Sequence, residues 1–485
     1  MKIIVVLPFN NYGLEPLGIL YLSSALRNAG HKIVAVTPNK RRLMNSVIQF
    51  EPDILMFSVI TGWHKQYLEL NLFIKSFYPR VFSIFGGPHT TFFPEHIYQS
   101  GVDAICRGEG ESSVLEFMDK FEQFEDYTQT NGFWVKKQDE IFKNDLKTEI
   151  NDLDQLIFPD RSLLELFPSY SNGHLRAFIA SRGCPYNCSY CFNNAYRSLY
   201  KKSGLKTHVR IRSVENLIQE MIAVKNRYGN SSITFFDDIF PSESDWLEEF
   251  SSKYNKRIQL PFECNLRIEQ ITPQVVTYLK HAGCTIIALG IETVDRQLRT
   301  TILRRNYTNE EISRACALVR EQGILIKTYN ILGLPPGDLK REWNTMIFNS
   351  DCSVDIPTAS LFQPYPGTVL GEESKRRGFW DGNIDNIQMG FYNSSPILIK
   401  DRVKIEMLQK LFPIGVRFPA LRPIIRLLLV LASLSPVKKV VFSLCHNTIN
   451  LGIFLSRHFR NAQNWREGIL RIQARLNIFL HRDTR

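Results

Sequence analysis

Apolar residues fall into short continuous runs separated by stretches of helical period. Early in the chain the runs are 3–7 (IIVVL), 33–36 (IVAV), 53–59 (DILMFSV), 81–85 (VFSIF) and 103–106 (DAIC), most of them rich in β-branched residues. Unbroken runs of this length suit strands buried on both faces. Between them, Leu17, Leu20, Tyr21, Ser24 and Ala25 precede a stop at Gly30, and Tyr67, Leu70, Phe73, Ile74 and Phe77 precede Pro79, each set at helical spacing. Strand and helix alternate, which predicts a doubly wound parallel sheet over residues 1–128 with helices on both faces. Ligands of such sheets sit beyond the carboxyl ends of the strands. At those ends lie Pro8 to Gly13, Ser58 to Gly62, Gly86-Gly87-Pro88-His89 and Arg107-Gly108-Glu109-Gly110-Glu111. Glycines there either admit a bulky ligand to the backbone or serve as turn and cap residues.

Residues 129–170 read as a linker, with a small β element at 133–137 (FWVKK) and a loop containing Pro159 and Pro168. A second alternation occupies 171–375: AFIAS (177–181), ITFFDD (233–238), FECNLR (262–267), TIIALGIET (285–293), ILIKTYNILG (324–333) and TASLFQPYPGT (358–368). Helical segments such as 213–227, 273–282 and 308–322 separate these runs, each long enough for one crossover. The expected fold class is α/β: an amino-terminal Rossmann-like doubly wound parallel sheet, a partial (β/α)6 TIM-type barrel, and a helical carboxy-terminal region over 376–485.

Composition changes this picture little. With 44% apolar and 22% charged residues, the chain of 485 has an ordinary globular mix, and disordered, collagenous and coiled-coil classes drop out. Charge is more telling. Residues 404–485 carry 14 Lys and Arg against Glu406, Glu467 and Asp483, while the preceding part holds 45 charges of each sign. The whole net charge of +11 therefore lies in the tail, and the body gives no reason to expect a nucleic-acid partner. In that tail the uncharged runs 427–437 and 440–456 have 11 and 17 residues. Both are shorter than the roughly 20 residues of a membrane span, so none is expected. Val441, Leu444, Cys445, Thr448, Leu451 and Leu455 make a helical stripe, flanked by Arg417, Arg422, Arg426, Lys438, Lys439, Arg457 and Arg460. Either a cap over the barrel or peripheral contact with anionic lipid would use this pattern. The opening MKIIVVLPFN is too short an apolar run for a signal peptide, and nine cysteines are too sparse for a disulfide scaffold; a reduced, cytoplasmic protein is expected.

Three of those cysteines are clustered. Ser181-Arg-Gly-Cys184-Pro-Tyr-Asn-Cys188-Ser-Tyr-Cys191-Phe follows the first barrel strand directly, with C-x3-C-x2-C spacing. Three such thiolates hold three corners of a four-iron cluster or contribute to a zinc site. Zinc would require a fourth ligand, and the nearest later candidate, His208, has no partner cysteine. Cys264, Cys284, Cys316, Cys352 and Cys445 are scattered singly and read as packing residues.

The triad's spacing and its place after a barrel strand resemble the radical SAM superfamily. The resemblance implies a 4Fe-4S cluster on Cys184, Cys188 and Cys191 whose open iron chelates S-adenosyl-L-methionine, and reductive cleavage to a 5'-deoxyadenosyl radical. Contacts to S-adenosylmethionine are then expected from Asp237 and Asp238, from Glu263, Asn265 and Arg267, from Gly290 and Glu292, and from Gly333. No catalytic acid or base is assigned. The stretches 15–22 (EPLGILYL), 85–90 (FGGPHT) and 107–111 (RGEGE) resemble the cobalamin-binding domain that precedes the barrel in one radical SAM subgroup. That resemblance implies cobalamin contacts at Ser58, Gly86, Gly87, His89, Gly108 and Glu109. The D-x-H-x-x-G motif is absent, so no histidine ligand to cobalt is expected from the first loop. The methylthiotransferase branch needs three further cysteines near the start, where residues 1–170 hold only Cys106. Cobalamin-dependent methyl transfer to an unactivated carbon is the expected activity. Cyclisation or rearrangement with the same cofactors, and a non-catalytic cobalamin-responsive binding protein, are the alternatives. A reductant such as flavodoxin or ferredoxin and a small-molecule or lipid-like substrate complete the expectation.

Overall fold

The computed structural model describes residues 1–8, 15–138, 140–167, 175–388 and 390–431. Strands β1 (Lys2–Val6), β2 (Lys32–Val36), β3 (Ile54–Ser58), β4 (Phe82–Gly86) and β5 (Ala104–Cys106) pair in parallel in the order β2-β1-β3-β4-β5. Alternate residues of the same strand enter two different cores. Ile3, Val5, Ile54, Met56 and Ile84 pack on one face, while Ile4, Val6, Leu55, Phe57 and Phe85 pack on the other. This two-sided burial is why the strands read as unbroken apolar runs. Two further strands, β6 (Phe133–Lys137) and β7 (Glu140–Lys143), add antiparallel to β5 and make the sheet seven-stranded. The β element expected inside a linker is thus an edge of the first sheet.

After β8 (Leu175–Phe178) the chain forms a short antiparallel ribbon of β9 (Ser181–Arg182) and β10 (Arg210–Ile211). Strands β11 (Ser232–Phe235), β12 (Phe262–Leu266), β13 (Cys284–Glu292), β14 (Leu325–Leu332) and β15 (Ile356–Leu361) follow. Together with β8 they form a six-stranded parallel sheet in the order β8-β11-β12-β13-β14-β15, the arrangement of a partial barrel. The crossover helices have well-formed ends. Ser213 caps Val214–Tyr228, which Gly229 closes in the left-handed conformation; Thr272 and Pro273 start a helix ended by Gly283; Thr308 and Glu311 form a capping box. In β12, Phe262, Cys264 and Leu266 enter the core beneath the helices, leaving the half-buried Glu263 and Asn265 on the inner face.

A helix at Arg402–Arg417 closes the barrel beside β15, with Gln409 donating to the Ala359 carbonyl at 2.7 Å and Leu408, Leu411 and Phe412 joining the core. A shorter helix, Arg422–Leu431, follows. Among the described residues no helix is long and apolar enough to cross a membrane. The stripe from Val441 to Leu455, Cys445 included, lies outside the described residues.

The two sheets are joined by buried charge. Arg161 bonds Glu15 of the first unit at 3.3 Å and Glu220 of the barrel at 2.8 Å; Arg176 also reaches Glu15, and Arg212 reaches Glu220. These side chains are almost fully buried, and three arginines share two glutamates, so removing either glutamate leaves buried positive charge in excess.

Candidate active site

The cysteine loop starts where β9 ends. Gly183 has φ of +92°, and a Cβ there would stand 3.1 Å from the His208 carbonyl oxygen, so both conformation and space require glycine. Cys184, Cys188 and Cys191 follow as free thiols, and Cys191 occupies the N-cap of the helix Phe192–Lys202. The loop is fixed across the barrel mouth. Ser189 donates through its amide to Leu303 at 3.3 Å and through its hydroxyl to the Ile302 carbonyl at 2.5 Å, while accepting from the Leu370 amide at 2.9 Å.

Burial, then the nearby Asp238 and the other two thiols, pushes Cys191 up to about 11; burial, Asp238 and Cys188 raise Cys184. Neutral thiols of this kind become good thiolate ligands once a cation compensates them. Cys188 Sγ lies 3.2 Å from Arg267 Nη1, and Asn193 Nδ2 is 3.7 Å from Cys191 Sγ. Among the described residues no three His, Cys, Asp or Glu side chains converge on a point that could hold one metal ion. An iron-sulfur cluster does not ask its ligands to converge on one atom, because each cysteine binds a different iron.

The paired aspartates divide their tasks. Asp237 is buried and accepts from the Ala180 amide at 3.0 Å and from the Ser181 amide and hydroxyl, each at 2.6 Å. Burial pushes it up to about 7 despite those bonds. It fixes the chain entering the cysteine loop. Asp238 faces the thiols instead, accepts a bond from Asn193, and is raised by desolvation. Neither caps a helix, because the next one begins at Ser244.

Other strand ends are also engaged by protein. Glu292 lies in a buried group with Arg305 and Tyr190, whose hydroxyl bonds the carboxylate at 2.8 Å. A Cβ on Gly290 would stand 2.5 Å from that carboxylate. Arg267 bonds Glu269 at 2.6 Å and lies over the Tyr186 ring at 3.7 Å, between the strand end and the loop. Asn265 bonds the Asp237 carbonyl at 3.0 Å and accepts from Tyr329 at 3.2 Å. Glu263 accepts from Thr234 at 3.1 Å and stands 3.8 Å from Lys327. The Gly333 amide donates to Glu342 at 3.2 Å, and a Cβ on Gly333 would stand 3.5 Å from Ile399 and 3.8 Å from Ile405.

In the first sheet, Gly87 has φ of +94° and would place a Cβ 2.9 Å from Val59 backbone atoms and 3.3 Å from Ser58 Oγ. Gly86 ends β4 beside Ser58. His89 is buried in the short helix Pro88–Phe92, bonded to Thr61 at 3.1 Å, stacked on His64 at 4.4 Å and edge-on to His96 at 5.2 Å. Burial, then repulsion from His64 and His96, pulls it down to about 2. Gly108 and Glu109 face the barrel unit: a Cβ on Gly108 would lie 2.3 Å from the Tyr200 hydroxyl, and Glu109 binds Arg182 and Arg210. Sequence reading named neither arginine. Nor did it name Tyr190 and Arg305, since their partners are remote in sequence.

A doubly wound domain whose loops meet a partial barrel, with three free thiols where they meet, defines a two-module α/β protein built around cofactors. Residues 10–118 match the B12 binding domain and residues 178–346 match the Radical SAM superfamily. The chain carries a radical SAM domain preceded by an amino-terminal B12-binding domain. It is 25% identical over 389 residues to an uncharacterized methyltransferase of Pyrococcus horikoshii, covering 77% of this chain and 83% of that protein. It is also 25% identical over 400 residues to the anaerobic magnesium-protoporphyrin IX monomethyl ester cyclase of Cereibacter sphaeroides, covering 77% of this chain and 63% of the cyclase. The solved structure of the cobalamin-dependent S-adenosylmethionine radical enzyme OxsB, with aqua-cobalamin and S-adenosylmethionine bound, shares the fold. Its TM-score is 0.69 at 16% identity, over 99% of this chain and 75% of that one.

Proposed function

We propose that this protein transfers a methyl group to an unactivated carbon of a small, largely apolar substrate in a biosynthetic pathway. The observation that carries this reading is the placement of three free thiols at the barrel mouth, tied directly to loops of the B12-binding domain. Bound there, a 4Fe-4S cluster supplies the electron that cleaves S-adenosylmethionine, and cobalamin supplies the methyl group. The chain's own residues hold and shield these groups. Cys184, Cys188 and Cys191 bind the cluster. Asp238, Glu263, Asn265 and Gly290 line the space for S-adenosylmethionine, with Gly333 behind Ile399 and Ile405, while Asp237, Arg267 and Glu292 stiffen its walls. Ser58, Gly86, Gly87 and His89 form the corrin side, and no described histidine is assigned to cobalt.

A small redox protein of the flavodoxin or ferredoxin kind would supply the electron, and a cytoplasmic enzyme is consistent with such a donor. An apolar substrate agrees with the helix Arg422–Leu431, which exposes Ile424, Leu427 and Val430 while Arg422 donates back to the Gly415 carbonyl and Arg426 lies over Trp343. Together with the basic tail, this face suits peripheral contact with anionic lipid. Ring closure is the second reading, favoured by the likeness to the cyclase. Anaerobic reconstitution followed by assay of 5'-deoxyadenosine tests the core of the proposal. Release by the wild type and at least tenfold less by Cys188→Ala supports it; equal release by both refutes it.

A further inference from the structure

The Arg107-Gly108-Glu109-Gly110-Glu111 loop leaves the first sheet at β5, where a ligand-binding loop was expected. Its carboxylates are turned to the barrel unit instead. Glu109 accepts a paired bond from Arg210, Nη2 at 2.8 Å and Nη1 at 2.9 Å, and a third bond from Arg182 at 3.3 Å. Glu111 accepts from the other nitrogen of Arg182 at 2.6 Å. Arg182 and Arg210 face one another as paired residues of the β9-β10 ribbon, so the ribbon presents two guanidinium groups side by side. Arg182 lies over the Tyr21 ring of the first domain, and Arg210 also holds Glu149 at 3.1 Å.

Two residues after Arg182 comes Cys184. The helix that follows Cys191 meets the same acidic loop. Tyr200, fully buried near the end of that helix, fills the space that a side chain on Gly108 would need. One five-residue segment of the B12-binding domain therefore contacts the chain on both sides of the cluster-binding loop, at Arg182 before it and on the helix after it.

We propose that Glu109 and Glu111, acting through Arg182 and Arg210, are positioning residues that fix the cluster loop relative to the corrin-binding edge of the first domain. Charge-assisted pairs with fixed fork geometry restrict orientation as well as distance. A carboxamide keeps the shape of each glutamate and loses the charge, so the clamp slackens without a steric clash. This inference rests on the cofactor assignment above, and its test separates the two.

In cofactor-free protein, amide hydrogen exchange across 183–192 is compared between wild type and the Glu109→Gln/Glu111→Gln double variant. In reconstituted protein, pulsed electron resonance reads the distribution of distances between reduced cluster and cob(II)alamin. Exchange about tenfold faster in the variant, with a broader distance distribution, is the expected result. Unchanged exchange and an unchanged distribution overturn the clamp. If the double variant fails to fold, Glu111→Gln alone, which removes one bond to Arg182, is read by the same two measurements with the same criteria. Wild-type protein that takes up neither iron nor corrin would sink the cofactor assignment, while the exchange comparison would still decide the clamp.

Discussion

Individual residues carry the strongest commitments. Gly108 is one: φ of +79° and the Tyr200 hydroxyl together leave no room for a side chain. Gly108→Ala is expected to destabilise the protein by about 1–3 kcal/mol, and adding Tyr200→Phe should recover part of the loss because only the steric share is relieved. Urea unfolding midpoints of the single and double variants measure this. The histidines of the first domain make a pH prediction. Folding holds His89 near 2 and His96 near 4, below the ordinary imidazole value of about 6.5. Unfolded chain therefore binds more protons than folded chain, and the stability these groups support is intact above about pH 6.5 and lost progressively as pH falls toward 4. Cofactor-free protein should lose stability over that window, and His89→Phe should reduce proton uptake on unfolding by about one. A pH-independent unfolding midpoint between 4.5 and 6.5, on the order of two units of window, would contradict the assignment.

At the scale of elements, β1, β3, β4 and β5 were legible because they are buried on two faces, which leaves an unbroken apolar signature, and the barrel strands were legible from their alternation with helical segments. Strand β6 was read as a β element but assigned to a linker, and β7 was not read, because an antiparallel edge pair carries Lys136, Lys137 and Lys143 and lacks an unbroken apolar run. The cysteine loop was legible from local spacing alone. The division of labour between Asp237 and Asp238 was not, since adjacent residues are told apart only by which way the backbone turns at the strand end. The contacts of Glu109 were equally hidden: its partners Arg182 and Arg210 lie 73 and 101 residues away in sequence. The helix Arg422–Leu431 yields its own prediction. Sedimentation with phosphatidylglycerol vesicles should capture the full chain, with binding weakened by salt, and Leu427→Glu should reduce capture at least threefold. Capture by neutral vesicles to the same extent, or none at all, would remove the membrane proposal.

Across the whole molecule, the first domain does more than sit beside the barrel. Its Glu15 enters a buried ionic network that runs through Arg161 to Glu220, and its acidic loop grips the ribbon that leads into the cluster loop. Where two cofactors act on one substrate, their relative placement matters as much as either site alone. Arg161→Gln should therefore impair both corrin and iron loading, although it touches neither group, because it removes the side chain that bridges Glu15 of the first unit and Glu220 of the barrel. Metal and corrin contents of the purified variant check this.

The account depends on three thiolates holding a cluster with one iron left to a small-molecule ligand. Mössbauer spectroscopy of anaerobically reconstituted, iron-57-labelled protein, with and without S-adenosylmethionine, tests this directly. The expected result is about four irons per chain, one of them changing its spectrum when S-adenosylmethionine is added. Iron that stays uniform on addition, or a chain that retains none, would contradict it.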